Sequence, residues 1–158
     1  MSVDKITFQP IGFLFTPFKE NKDVPRQPKF AKGVPGKLVI QPEFVPGLKD
    51  LEGFSHVYLI FHFNRSEGYQ LTLTPFNETE KHGVFATRAP YRPNPLGLSI
   101  VRLVSIENDT LYLENVDILD GTPILDIKPY IHEMENQDET KSGWFQKYLD
   151  QKGDYQLN

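Results

Sequence analysis

Residues 98–114, LSIVRLVSIENDTLYLE, decide the fold class. Residues 98–106 are rich in β-branched and aliphatic side chains, which pack well on a pleated strand. The turn residues ENDT lead into residues 110–114, TLYLE, where polar and apolar side chains alternate. Two strands joined by so short a turn pair antiparallel, so this stretch predicts a β-hairpin.

Other short strands are predicted on both sides of the hairpin. Residues 57–63, VYLIFHF, form a continuous apolar and aromatic run, which indicates a strand buried on both faces or a barrel stave. Residues 6–15 predict an opening extended segment that is irregular near Pro10. The remaining predicted strands are residues 37–41, 70–74, 84–87 and 123–127.

Helical signals are few. One helical turn is predicted near residues 48–51, and SGWFQKYLDQK at residues 142–152 predicts an amphipathic C-terminal helix. Residues 19–36 are polar and proline-rich and predict a long loop. We therefore expect a mainly β protein: one small antiparallel β-barrel domain over residues 1–158, with its core at about residues 6–131 and an acidic tail with a helix at 132–158. A Rossmann-type domain is not expected, because long crossover helices and the G-x-G-x-x-G pattern are missing.

Composition narrows the function. The 158 residues include no cysteine, which excludes disulfides, thiol nucleophiles and cysteine metal sites. No apolar run approaches the roughly 20 residues of a membrane span, and residues 1–7 lack a signal core, so we expect a cytoplasmic protein. The net charge of −4 is uneven: residues 1–40 hold seven Lys/Arg and three Asp/Glu, whereas residues 107–158 hold four and twelve. A basic face near the N-terminus is therefore compatible with a phosphate-bearing partner, and solvated loop lysines are the simpler alternative.

Residues 83–99, GVFATRAPYRPNPLGLS, contain a rigid polar loop. Arg88 and Arg92 lie four residues apart, Asn94 offers an amide, and three prolines stiffen the chain. Gly97 allows a close backbone approach. Such a preorganised set of donors around a cavity is typical of a binding site.

Two further stretches carry polar groups. PRQ at residues 25–27 presents an Arg fork and a Gln amide, although an exposed turn explains it equally well. ENVDILDGTPILDIKPY at residues 114–130 contains Asp120, which suits a turn. In the same stretch Asp126 and Lys128 lie two apart on a strand and share a face. This polar pair is a candidate site.

A metal site is not expected. His56 and His62 would share one strand face, but no third ligand has a suitable spacing. Serine-nucleophile and phosphate-loop motifs do not occur.

The chain resembles the TsaA-like family, also called TrmO or YaeB. The matching strings are IGFLFTPF at residues 11–18, PRQ at 25–27, GFSHVYLIFHF at 53–63, GVFATRAPYRPNPLGLS at 83–99 and DILDGTPILDIKPY at 117–130. This resemblance implies a homodimeric β-barrel enzyme that transfers a methyl group from S-adenosylmethionine. It further implies that the acceptor is the exocyclic nitrogen of N6-threonylcarbamoyladenosine, beside the anticodon of threonine tRNA.

The resemblance also implies a set of site residues. The methyl-donor contacts would be Pro25, Arg26, Gln27, Asn64, Arg65, Arg88, Leu98, Glu114, Asn115, Val116 and Asp117. Many bacterial members have His-Gln where this chain has Asn64-Arg65. Longer members carry a second C-terminal domain, which we do not expect in this sequence. The cavity or the acceptor side would be lined by Arg92, Asn94, Asp126, Lys128 and Tyr91.

The predicted chemistry needs a proton acceptor, because the target nitrogen is a poor nucleophile. We expect Asp126 to be the general base, with Arg92 and Asn94 orienting the acceptor. Two alternatives stay open: a methyltransferase for another RNA or a small molecule, and a module that senses S-adenosylmethionine without catalysis.

Overall fold

A closed antiparallel β-barrel organises the molecule, seen here in a computed structural model that describes residues 4–25 and 28–151. The strands are β1 (Gly12–Phe15), β2 (Pro35–Ile40), β3 (His56–His62), β4 (Thr72–Leu73), β5 (His82–Gly83), β6 (Leu96–Glu107), β7 (Thr110–Glu114) and β8 (Thr122–Pro129). The barrel order is β1-β2-β7-β6-β3-β8, and β4 and β5 form a separate two-stranded sheet. The predicted barrel is confirmed.

Short helical elements connect the strands. The described part of the chain contains two α-helices, α1 (His132–Glu135) and α2 (Gln146–Asp150). The 3₁₀ turns are Asn21–Asp23, Pro28–Ala31, Pro42–Leu48, Leu51–Gly53, Val84–Ala86 and Gly143–Phe145. The C-terminal helix predicted at residues 142–152 is therefore present but shorter.

The barrel interior is an aliphatic core. Leu14, Leu38, Leu59, Leu111 and Ile124 are fully buried and come from five different strands. Removing each such side chain from water contributes about 1.5–3 kcal/mol to folding. β3 alternates between buried and half-buried side chains, so the prediction of a strand buried on both faces is wrong and that of a barrel stave is right.

The predicted hairpin is confirmed. β6 and β7 pair antiparallel, with Glu107 opposite Thr110, and the turn residue Asn108 has a φ of 56°. Asn tolerates this left-handed conformation better than most residues. The pairing shifts register between Leu103 and Ser105, a bulge that increases the local twist.

Three strand predictions differ from the structure. Residues 84–87 were expected to form a strand, but Val84–Ala86 is a 3₁₀ turn, because the hydroxyl of Thr87 donates to the carbonyl of Val84 at 2.8 Å and closes the turn locally. The opening strand is limited to Gly12–Phe15 rather than residues 6–15. The strand expected at residues 70–74 is limited to Thr72–Leu73.

Candidate functional site

The segment between β7 and β8 closes one end of the barrel. Since these strands are not neighbours in the barrel, the chain must cross its end. Val116 and Ile118 point into the hydrophobic core and are nearly inaccessible to solvent. The Asn115 side chain accepts a hydrogen bond from the backbone N–H of Gly33 at 2.8 Å, which ties this segment to the long N-terminal loop.

Asp117 lies between the buried residues Val116 and Ile118, and its carboxyl group is partly buried. The hydroxyl of Ser99 donates to its Oδ1 at 2.8 Å. Burial raises the pKa of Asp117, while the Ser99 hydrogen bond and the charge of Arg88 act in the opposite direction. A titratable group held in this way at the mouth of a barrel is a functional-site candidate. The charge of Arg88 therefore acts on the Asp117 carboxyl group, and both residues are predicted donor contacts.

Asp120 holds the adjoining turn. It accepts hydrogen bonds from the backbone N–H of Thr16 at 2.8 Å and from Nζ of Lys19 at 2.7 Å. The Lys19 bond is the main reason why the pKa of Asp120 is lowered. Arg65 donates to the carbonyls of Lys19 at 3.0 Å and of Asp120 at 3.3 Å. Arg65 thus joins the N-terminal loop to the barrel end, and its predicted donor contact stays a prediction.

The Arg-Pro loop, defined here as residues 87–95, is shaped by one of its own arginines. A terminal nitrogen of Arg92 donates to the carbonyls of Val84 at 3.0 Å, Thr87 at 2.8 Å and Ala89 at 3.2 Å. The guanidinium also lies 5.9 Å from the centre of the Phe85 ring. Arg92 therefore fixes the loop conformation, which leaves Arg88, Tyr91 and Asn94 exposed along it.

Asp126 and Lys128 lie on the outside of the barrel. Their charged groups are 3.1 Å apart, and the strand register pairs them with Ile60 and Tyr58 of β3. Ser99, in contrast, pairs with the fully buried Leu59 and faces inward. The predicted base Asp126 and the Asp117 carboxylate are thus on opposite sides of one sheet.

The remaining predicted donor residues are spread over several parts of the chain. Leu98 is 62% exposed on the outer face of β6, next in sequence to the inward Ser99. Glu114 at the end of β7 forms an ion pair with Arg102 at 2.7 Å. Pro25 is half-buried and Asn64 is exposed, whereas Arg26 and Gln27 lie outside the described residues.

The structure makes two sequence expectations more specific. Val116 is fully buried, so its side chain packs in the core and any ligand contact there falls to the backbone. Gly97 was expected to allow a close approach to the backbone, and the group that lies against it is the ring of Phe61. Ser99, which bonds Asp117, was not among the predicted site residues. Ser99 and Val101 are two residues apart on one strand, so their side chains point to the same, inner face, and this alternation could have identified Ser99 from the sequence.

The described residues give no sign of a metal centre or a membrane span. Over residues 4–25 and 28–151, no three His, Asp or Glu side chains gather closely enough to hold a metal ion. No helix within the same ranges has the length and apolar character needed to cross a membrane.

Comparison with known proteins gives consistent matches. Residues 13–136 match the family described as tRNA-methyltransferase O N-terminal domain. A probable S-adenosyl-L-methionine-binding protein of Pyrococcus abyssi is 52% identical over 142 residues, covering 90% of this chain and 77% of the relative. The Escherichia coli tRNA (adenine(37)-N6)-methyltransferase is 35% identical over 149 residues, covering 88% of this chain and 63% of the relative.

The fold is also similar to that of a solved structure. The crystal structure of TrmO from Pseudomonas aeruginosa superposes with a TM-score of 0.76 at 39% identity, covering 90% of this chain. The chain spans 63% of the length of that protein.

Proposed function

Because this chain belongs to the family of the tRNA-methyltransferase O N-terminal domain, we propose that it binds S-adenosylmethionine and transfers the methyl group to N6 of an adenosine in tRNA. The observation that supports this most directly is the half-buried Asp117 carboxyl group with Ser99 and Arg88 at the closed barrel end. One domain over residues 1–158 suffices, on this proposal, to bind the donor.

The polar groups at the barrel end suit the donor molecule. S-adenosylmethionine carries a sulfonium, an ammonium and a carboxylate. Asp117 and Glu114 would attract its cationic groups, and Arg88 would pair with its carboxylate. The proposed donor contacts also include Pro25, Arg26, Gln27, Asn64, Arg65, Leu98, Asn115 and the backbone of Val116.

We further propose that two copies of the chain complete the site. Leu96, Leu98, Ile100 and Val104 form an exposed apolar row on the outer face of β6. Such a row is unusual on a monomer surface and is typical of an interface. A second chain against β6 would cover Leu98 on the same outer surface that carries Asp126, and we expect its residues to complete that side of the site, while Asp117 stays on the inner side. A homodimer follows from this reasoning.

The transfer itself needs alignment and one proton acceptor. The N6 lone pair attacks the methyl carbon as the carbon–sulfur bond breaks, so the donor leaves as S-adenosylhomocysteine. The N6 proton passes to a base, for which we propose Asp126. Arg92 and Asn94 would hold the loop against the acceptor, and Tyr91 and Lys128 would contact it.

The proposed acceptor is N6-threonylcarbamoyladenosine next to the anticodon of threonine tRNA. The name of the Escherichia coli relative supports N6 of adenine at a single tRNA position. The threonylcarbamoyl group of this adenosine would supply a carboxylate for Arg92 of the Arg-Pro loop. A cytoplasmic location accompanies this proposal, because mature tRNA is found there.

One experiment tests donor and acceptor together. Methyl-labelled S-adenosylmethionine is incubated with tRNA that carries threonylcarbamoyladenosine and, in parallel, with unmodified tRNA. We expect label only in the modified tRNA. Donor binding is measured by calorimetry on the same preparation. There Arg88→Gln should weaken binding about tenfold, as expected for the loss of one charge-assisted hydrogen bond, and exposed Lys49→Gln should not.

A donor-binding module without catalysis is the second candidate function. It is favoured by the Pyrococcus relative, whose name states binding alone. Tight donor binding with no label in either tRNA would support it. Label in other RNA or in a metabolite extract would instead support a methyltransferase with a different acceptor.

A further inference from the structure

Beyond residue 136, where the family match ends, the chain folds back onto the side of the molecule. Residues 143–150, which we call the strap, form a 3₁₀ turn and α2. The strap lies against residues 71–86, which we call the insertion and which contain β4 and β5. Trp144 donates its indole N–H to the carbonyl of Ala86 at 2.8 Å, and Tyr148 donates its hydroxyl to the carbonyl of Asn77 at 2.9 Å.

A buried carboxylate anchors the strap to the insertion. The Glu78 side chain is 1% exposed, and its Oε2 lies 2.8 Å from Nζ of Lys147. The backbone N–H groups of Thr79 and Glu80 donate to Oε1 at 2.8 and 3.3 Å. The Lys147 hydrogen bond is the largest cause that lowers the pKa of Glu78 to about 2. The same contact raises the pKa of Lys147, so the pair stays charged throughout the physiological range.

An aromatic contact reinforces this anchor. The Trp144 ring stacks on His82 with 4.4 Å between centroids and 12° between planes. Nε2 of His82 lies 3.4 Å from Oε2 of Glu78. The strap thus contacts the insertion at two points, through Trp144 on His82 of β5 and through Lys147 on Glu78.

The insertion is in turn bonded to the Arg-Pro loop. Val84, at the end of the insertion, donates its N–H to the carbonyl of Leu71 at 2.9 Å and offers its own carbonyl to Arg92 at 3.0 Å. Gln70, just before the insertion, donates to the carbonyl of Tyr91 at 3.2 Å. Both ends of the insertion therefore hold the loop that carries Arg88.

We propose that the strap positions the Arg-Pro loop for ligand binding, with Lys147 and Trp144 as positioning residues and Glu78 as the buried anchor. Removing either strap contact loosens the insertion and lets the loop leave its binding conformation. Apparent affinity falls in proportion to the fraction of molecules that keep the competent conformation. The link to affinity rests on the proposed function, whereas the link to loop order does not.

The test combines hydrogen exchange with binding on the full chain. Lys147→Gln and Trp144→Phe each remove one strap contact. Lys147→Arg keeps the positive charge. Lys141→Gln is a control, because it removes an exposed lysine that precedes the strap. We expect exchange across residues 71–92 to quicken about tenfold in the first two variants. Lys147→Arg should exchange nearly as slowly as the original protein, and Lys141→Gln equally slowly.

Affinity supplies the second measurement. With S-adenosylmethionine as the probe, Lys147→Gln should raise Kd about tenfold while exchange in β3 and β6 stays unchanged. Unaltered exchange across residues 71–92 in both strap variants would overturn the proposal that the strap orders the insertion and the Arg-Pro loop. Faster exchange with unaltered Kd and unaltered KM for tRNA would overturn the positioning role. If the original protein neither binds the donor nor methylates tRNA, the proposed function fails while the exchange result still decides whether the strap orders the loop.

Discussion

Replacing Gly97 by alanine should destabilise the barrel through one defined clash. Gly97 on β6 pairs with Phe61 on β3, and an added Cβ would overlap Cε2 and Cζ of the Phe61 ring and lie 2.9 Å from Cδ2. Carbon atoms in contact prefer about 3.5–4.0 Å. The ring has little room to turn, because it is 5% exposed and packs edge-to-face on Phe63 at 5.1 Å. Overpacking of this kind costs about 1–3 kcal/mol.

This loss of stability is measurable by urea unfolding and by thermal unfolding, both followed by circular dichroism. For a domain of this size, about 1–3 kcal/mol corresponds to a Tm lower by roughly 2–12 °C. Gly47→Ala is the matched control, because an added Cβ there meets nothing within 4 Å. Phe61→Leu should make room for the new methyl group, so its combination with Gly97→Ala should cost less than the sum of the two. An unfolding midpoint for Gly97→Ala equal to that of Gly47→Ala, or strictly additive costs, would refute this reasoning.

Three further predictions concern the interface and the carboxylates. Ile100→Glu, on the apolar row of β6, should shift the mass in light scattering from a dimer to the 18.2 kDa of one chain, whereas Phe13→Glu on β1 should not; a monomeric original protein would contradict this. Because burial raises the pKa of Asp117, its folded form binds more protons than its unfolded form, and stability should fall as pH rises from about 4 through the raised pKa. Asp117→Asn should lack that fall. If the urea midpoints of Asp117→Asn and the original protein changed in parallel with pH, the raised pKa of Asp117 would be contradicted. Asp126→Asn should lower the single-turnover methyl-transfer rate by about 10²–10⁴-fold with little change in donor Kd, and transfer at the original rate would exclude Asp126 as the base.

The barrel was predictable because its signals are local. Residues 98–114 form β6 and β7 almost as expected, since strand pattern and turn chemistry agree within 17 residues. Residues 84–87 misled for the opposite reason. Val84 and Phe85 favour strands in general, but the carbonyls of Val84 and Thr87 are directed at Arg92, a contact that strand propensity does not contain.

The site was only partly predictable. Its motifs pointed to Arg88 and Asp117, and the charge of Arg88 acts on the Asp117 carboxyl group. The separation of Asp126 from Asp117 was not predicted, because motif order says nothing about which side of a sheet each residue faces. The strap was missed as well, since Glu78 and Lys147 are 69 residues apart and neither belongs to a recognisable pattern.

The closed order of the six strands has a consequence for how two copies of this chain would meet in the proposed dimer. Each barrel strand is hydrogen-bonded to a neighbour on both sides, so the barrel offers a second copy no strand edge to extend. A contact through the outer face of β6 would then be made by outward side chains rather than by strand pairing. Pairing preference between related chains in one cell could therefore change through a few substitutions on the face of β6, with the backbone hydrogen bonds of both barrels untouched.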